Sequence, residues 1–178
     1  MIKQLSTKLV YENKFMKIHE DQVEFANGYR GVYGYMDKID YSLIIPYEDG
    51  HFYLVNQYRY PIKKESLEFP AGRTEGKKLS GEEMAMNELQ EETGLVAKKM
   101  EKIGFLYSAP ASITCGAHIF LATDFKQVER KLDATESDLT IRKVSVHDFE
   151  RFISDGTICE FPTVAAYALL KIKKPAMV

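Results

Sequence analysis

The sequence predicts an α/β fold in which a mixed sheet lies between helices, and three observations carry that prediction. Short strand-like runs recur, bounded by Asn-Gly, Asp-Gly and Pro-Ala-Gly turns. Apolar residues at helical spacing occupy one stretch in the middle and two near the end. The two kinds of element do not alternate as a regular βαβ repeat, so a purely parallel sheet is not expected.

Leu9–Glu12 and Gln22–Phe25 read as strands, and Asn27-Gly28 is a strong hairpin turn. Tyr29 to Met36 alternates, with Tyr33 and Tyr35 on one face. Residues 1–40 therefore form a small antiparallel sheet, and 41–178 the main domain. Ser42–Pro46 is a buried strand, and Asp49-Gly50 turns the chain into Phe52–Val55, with a second run at Gln57–Pro61. After a central helix, Met100–Tyr107, His118–Ala122 and Leu139–Val146 read as strands, with a loop at Ser108–Gly116. Helices over Val146–Ser154 and Thr163–Ile172 close the chain.

At 178 residues, 45% hydrophobic and 12% aromatic, the chain supports one folded domain with at most a small appendage. Its net charge of −2 is spread along the length, without the basic stripe of a nucleic-acid binder. It has no run of eighteen apolar residues, and Met1-Ile2-Lys3-Gln4 does not open a secretory signal, so no membrane role is expected. Cys115 and Cys159 form no metal spacing or disulfide framework, which points to reduced thiols in the cytoplasm. His19, His51, His118 and His147 are scattered and make no zinc pattern.

The central helix carries the chemistry. Ser80 with Glu83 is a capping-box pair, so a helix starts there, and Gly94 ends it. Glu88, Glu91 and Glu92 stand at i, i+3 and i+4 and share a face. Like charges at that spacing cost about 0.2–0.5 kcal/mol per pair. A Lys or Arg one turn from Glu88 would relieve them, but Met84 and Glu92 hold those positions. Either the face is merely solvated, or a divalent cation with a taste for oxygen ligands, Mg²⁺ or Mn²⁺, compensates it.

Upstream, Leu67-Glu68-Phe69-Pro70-Ala71-Gly72 is a short apolar strand breaking into a turn, and Arg73–Leu79 leads into Ser80. Strand, glycine loop and acidic helix together resemble the Nudix hydrolases. Glu88-Leu89-Gln90-Glu91-Glu92-Thr93-Gly94-Leu95 matches the second half of that family's signature. The first half departs from it. Gly72 lies sixteen residues before Glu88 where the family has fifteen, no acid occurs at Lys77–Leu79, and Asn87 replaces the family's arginine. Gln57-Tyr58-Arg59, Pro110 sixteen residues past Gly94, and the Asp155-to-Ala166 ending resemble the ADP-ribose and nucleoside-diphosphate-sugar pyrophosphatases.

That resemblance implies an α/β/α sandwich and metal-dependent cleavage of a nucleoside diphosphate sugar into a nucleoside monophosphate and a sugar phosphate. It also implies a homodimer, with residues 1–40 suited to exchange between its subunits. Glu88 and Glu92 are then the metal ligands, with the Ala71 carbonyl as a further oxygen and Glu91 in support. Glu136, in the acidic run Asp133–Asp138, resembles a family position and is the candidate base; Glu91 or a cation-activated water is the alternative. Arg59 is the candidate phosphate clamp, with Glu68 beside it to hold the guanidinium or a water. Tyr29, Tyr33 and Tyr35 either stack on a base or pack in the sheet. Two other readings fit the departures: a nucleoside triphosphate or dinucleotide pyrophosphatase, and a nucleotide-sugar sensor without turnover.

Overall fold

The structure, a computed structural model, describes residues 1–73, 79–132 and 136–178. Two compact units divide it: Met1–Asp40 with Tyr107–Gly116, and Tyr41–Leu106 with Ala117–Val178.

In the first unit, β1 (Lys3–Asn13), β2 (Met16–Glu24) and β3 (Arg30–Asp37) form an antiparallel sheet in that order. The Asn13 side chain makes the first hairpin by accepting from the Phe15 and Met16 N–H groups at 2.8 and 3.0 Å. Asn27-Gly28 makes the second, with Gly28 at φ +81° and the Phe25 N–H donating to Tyr29 O at 2.8 Å. β1 is longer than the sequence suggests because all of its residues are exposed, which erases the alternation that marks a half-buried strand. The 107–116 segment joins through Met36 N–H to Ser112 O (2.8 Å), and the Tyr33 hydroxyl donates to Ala111 O (2.8 Å).

The second unit holds β4 (Tyr41–Glu48), β5 (His51–Arg59), β6 (Lys64–Glu68), β7 (Ala71–Gly72), β8 (Leu95–Tyr107), β9 (Gly116–Gln127) and β10 (Thr140–Ser145). Its helices are α1 (Gly81–Thr93), α2 (Val146–Ser154) and α3 (Phe161–Lys173). The sheet runs β10-β5-β4-β9-β8, with β6 paired to β5 and β7 to β4. β4 and β9 are parallel while β5 is antiparallel to both β4 and β10, so the sheet is mixed as expected. Asp49 and Gly50, at φ 48° and 73°, make the tight β4–β5 hairpin.

Alternation along the central strands creates two cores. Leu43, Ile45, Ile119 and Leu121 pack with Phe149, Tyr167 and Leu170 of α2 and α3. Ile44, Phe120 and Ala122 pack with Ala85 and Leu89 of α1. Helices therefore cover both faces of the sheet. Two strands outrun their predicted limits: β8 begins directly after Gly94, and β9 continues to Gln127. Their extra lengths carry exposed Lys98, Lys99, Asp124 and Lys126, whose polarity interrupts the apolar pattern that marks a strand.

Candidate functional site

The acidic helix is fixed at both ends by local chemistry. Ser80 Oγ accepts from Glu83 N–H at 3.2 Å, and Glu83 Oε2 accepts from Ser80 N–H at 2.8 Å, closing the predicted capping box. Gly94 ends the helix at φ +70°, and its N–H donates to Gln90 O. Ser42 Oγ donates to Gly81 O at 2.7 Å and ties the first turn to β4. Buried Ala85 and Leu89 then set the rotation of the helix.

That rotation separates the three signature glutamates. Glu92 is only 4% exposed, whereas Glu88 and Glu91 are half-buried. Burial holds the Glu92 carboxyl well above the usual carboxylate range, and the charges of Glu136 and Glu88 push it the same way. The Ala71 N–H and the Arg59 guanidinium pull it back. Glu92 Oε2 is buried with no hydrogen-bond partner among the described residues.

Ala71 lies in a two-residue strand rather than in a turn. Ile44 N–H donates to Pro70 O at 2.9 Å, so the next pair along, Leu43–Ala71, is of the non-hydrogen-bonded kind. Both backbone groups of Ala71 therefore turn away from β4, and its N–H reaches Glu92. Gly72 follows, and a Cβ there would fall within the Glu88 carboxylate.

Arg59, at the end of β5, meets Glu68 through both oxygens: Nε donates to Oε1 at 2.9 Å and Nη2 to Oε2. This is the ion pair that the sequence allowed for. Arg59 also sits within the electrostatic reach of Glu92 and Glu160. Glu136 opens a short 3₁₀ turn that closes on Leu139 N–H at 3.0 Å. Arg59, Glu68, Ala71, Glu88, Glu92 and Glu136 thus all belong to the second unit.

Pro110 belongs to the first unit, where it lines a cavity of about 370 Å³ with Tyr33, Tyr35 and Tyr107. Tyr29 is exposed and packs on Phe25 instead. Cys115 is buried and Cys159 exposed, both as free thiols. Asn87 is exposed and uncharged, so it gives the glutamates no cationic brace. Lys77 and Lys78, where the early signature acid is missing, lie outside the described residues, as do Asp133–Thr135 of the acidic run.

The sequence reading missed Glu160. It caps α3, accepting from Thr163 N–H at 2.6 Å, and Thr163 Oγ1 accepts from Phe69 N–H at 2.9 Å. Burial raises the Glu160 carboxyl, against the Thr163 hydrogen bonds. The signal was present in Glu160-Phe161-Pro162-Thr163, an acceptor ahead of a proline at a helix start.

Among the described residues, no three His, Cys, Asp or Glu side chains converge as a ready metal site. The donor set nonetheless suits a hard divalent cation. Glu92 Oε2 lacks a partner, Glu88 fits over a glycine, and Glu92 feels the charges of both Glu136 and Glu88. An acidic helix over a glycine strand in a mixed sandwich defines an α/β class whose carboxylates suit a hard divalent cation.

The comparisons place it within that class. The NUDIX domain matches residues 38–161, and the nucleoside diphosphate sugar hydrolase N-terminal domain matches residues 2–36. The chain therefore belongs to the Nudix family, whose hydrolases generally need divalent metal ions. It is similar to an ADP-ribose pyrophosphatase of Bacillus subtilis, 26% identical over 97% of this chain and 94% of that protein. It is also similar to a methanol dehydrogenase activator of Bacillus methanolicus, 24% identical over the same shares. A solved structure of an ADP compounds hydrolase shares the fold, with TM-score 0.86, 24% identity and coverage of 99% of this chain and 97% of that one. No helix among the described residues is long and apolar enough to cross a membrane.

Proposed function

We propose that the chain hydrolyses the diphosphate bridge of ADP-ribose or a closely related nucleoside diphosphate sugar, releasing a nucleoside monophosphate and a sugar phosphate. Glu92 carries this reading: a buried carboxylate with an orphaned oxygen, crowded by Glu88 and Glu136. Glu88, Glu92 and the Ala71 carbonyl are the ligands for Mg²⁺ or Mn²⁺, with Glu91 in support. The outward turn of the Ala71 backbone supports its inclusion. The bound cation supplies neutralisation of the bridge and a lower pKa for the attacking water.

The protein residues do the rest. Glu68 takes two of the five Arg59 donors, which aims the guanidinium and leaves the others for a phosphate oxygen. Glu136 accepts the proton that the water loses as its oxygen attacks phosphorus, and the bridging P–O bond breaks in line. Its effect on Glu92 supports that placement. Pro110, with Tyr33 and Tyr35, offers an aromatic-lined cavity for a nucleobase.

In this reading residues 41–178 are the hydrolase domain, and residues 1–40 pair two chains as a homodimer, with sheet exchange between them. Leu5, Leu9, Val10 and Tyr11, all exposed on β1, support apolar surface for that pairing. The two free thiols support a cytoplasmic setting. The test is a panel of ADP-ribose, UDP-sugars, GDP-mannose and nucleoside triphosphates, with and without Mg²⁺ or Mn²⁺, read as monophosphate release. ADP-ribose should turn over fastest and only with metal. Preference for triphosphates would overturn the substrate assignment, and tight binding with no product from any compound would make the protein a sensor.

A further inference from the structure

We infer that the cavity beside Arg59 is a subsite for the polyhydroxylated sugar end of the substrate, with Ser66 and Glu160 as its specificity-determining residues. This rests on the diphosphate reading above. The cavity measures about 380 Å³, within the range of small-ligand sites, and is lined by Arg59, Ile62, Ser66, Glu68, Cys159 and Glu160 among others.

Period-two alternation along β6 puts Ser66 and Glu68 on one side and Leu67 on the other, in the core. Ser66 is only 6% exposed and lines the cavity, yet its hydroxyl makes no hydrogen bond among the described residues. Unlike Glu92 Oε2, the Ser66 oxygen is not sealed off, so a ligand hydroxyl in the cavity can reach it. Glu160 offers about four acceptor positions, of which the Thr163 N–H fills one. Glu68 is occupied by Arg59 but keeps further lone pairs on the same side.

This lining chooses its ligand. Two carboxylates against one partly used guanidinium disfavour a second phosphate. They favour a neutral group rich in O–H donors, and the serine hydroxyl can both give and accept. Ile62 supplies an apolar wall for the C–H face of a sugar ring. Arg59 lines this cavity and also acts on Glu92, so one guanidinium spans the diphosphate site and the sugar subsite.

Cys159 lines the cavity and is exposed, while Cys115 is buried, so alkylation reports on this cavity selectively. The experiment follows iodoacetamide labelling of Cys159 in EDTA with ribose 5-phosphate or AMP present. Saturating ribose 5-phosphate should slow labelling about tenfold, and AMP by less than about twofold. Ser66→Ala should abolish the protection; Glu160→Gln, which keeps an acceptor for the α3 cap, should weaken it. Equal protection by AMP, or none by ribose 5-phosphate, overturns the subsite. Turnover of ADP-ribose without protection removes the subsite and leaves the reaction. Protection without turnover of any diphosphate keeps the subsite and removes the reaction.

Discussion

The Glu88 carboxylate occupies the space where a side chain on Gly72 would begin. The glycine of the signature is therefore required by a contact, since its backbone does not adopt positive φ. The obstructing group is the far end of a flexible side chain, which can swing away at little cost. Gly72→Ala should thus leave stability within about 1 kcal/mol of the parent, yet displace Glu88 and cut metal-dependent turnover by about a hundredfold. Thermal unfolding alongside steady-state rates checks both halves.

Glu92→Gln should also lower turnover by about a hundredfold, because it removes a charged ligand and preserves the shape. Its effect on stability runs the other way. The Glu92 carboxyl is held above its unfolded value, so the native state binds the proton more tightly. Stability from this group is present below the ordinary carboxylate range and is lost as pH rises towards the raised folded value. Without metal at pH 7, the glutamine variant should therefore melt higher than the parent, and the gap should close by about pH 4. Added Mg²⁺ or Mn²⁺ should raise the melting temperature of the parent and not of the variant. Scanning calorimetry at both pH values, with and without metal, reads all of this.

Thr163→Val keeps volume but deletes the buried acceptor for Phe69 N–H. An unsatisfied buried donor costs about 1–3 kcal/mol. At about 2–4 °C per kcal/mol for a chain of this size, the melting temperature should fall by roughly 2–12 °C. No drop at all would mean that water replaces the hydroxyl.

Asn87 stands where the family carries an arginine, but it is exposed, and the fork beside Glu92 comes from Arg59 on β5. Asn87→Arg should therefore change kcat/KM by no more than about twofold, the scale of an ordinary surface substitution. Arg59→Met should cost far more and should leave the buried Glu68 carboxylate without its partner, a loss of about 1–3 kcal/mol because Arg59 itself is half-exposed. Kinetics and urea unfolding of the two variants side by side separate these outcomes.

The sequence by itself determined the caps of the acidic helix, the Asn-Gly and Asp-Gly hairpins, the mixed α/β class and the glutamate trio. Each depends on residues within a few positions of one another, where turn chemistry and helical periodicity act directly. Tertiary structure decided that Glu92 is the buried member of the trio and that Glu136 lies close enough to raise it. It also brought Ser66 and Glu160 to one cavity and committed Arg59 to Glu68. These relations join residues many positions apart, through the pairing of β4, β5, β6 and β7 and the seating of α1 and α3. No local pattern encodes them, because the free energy that enforces them is long-range burial and strand register.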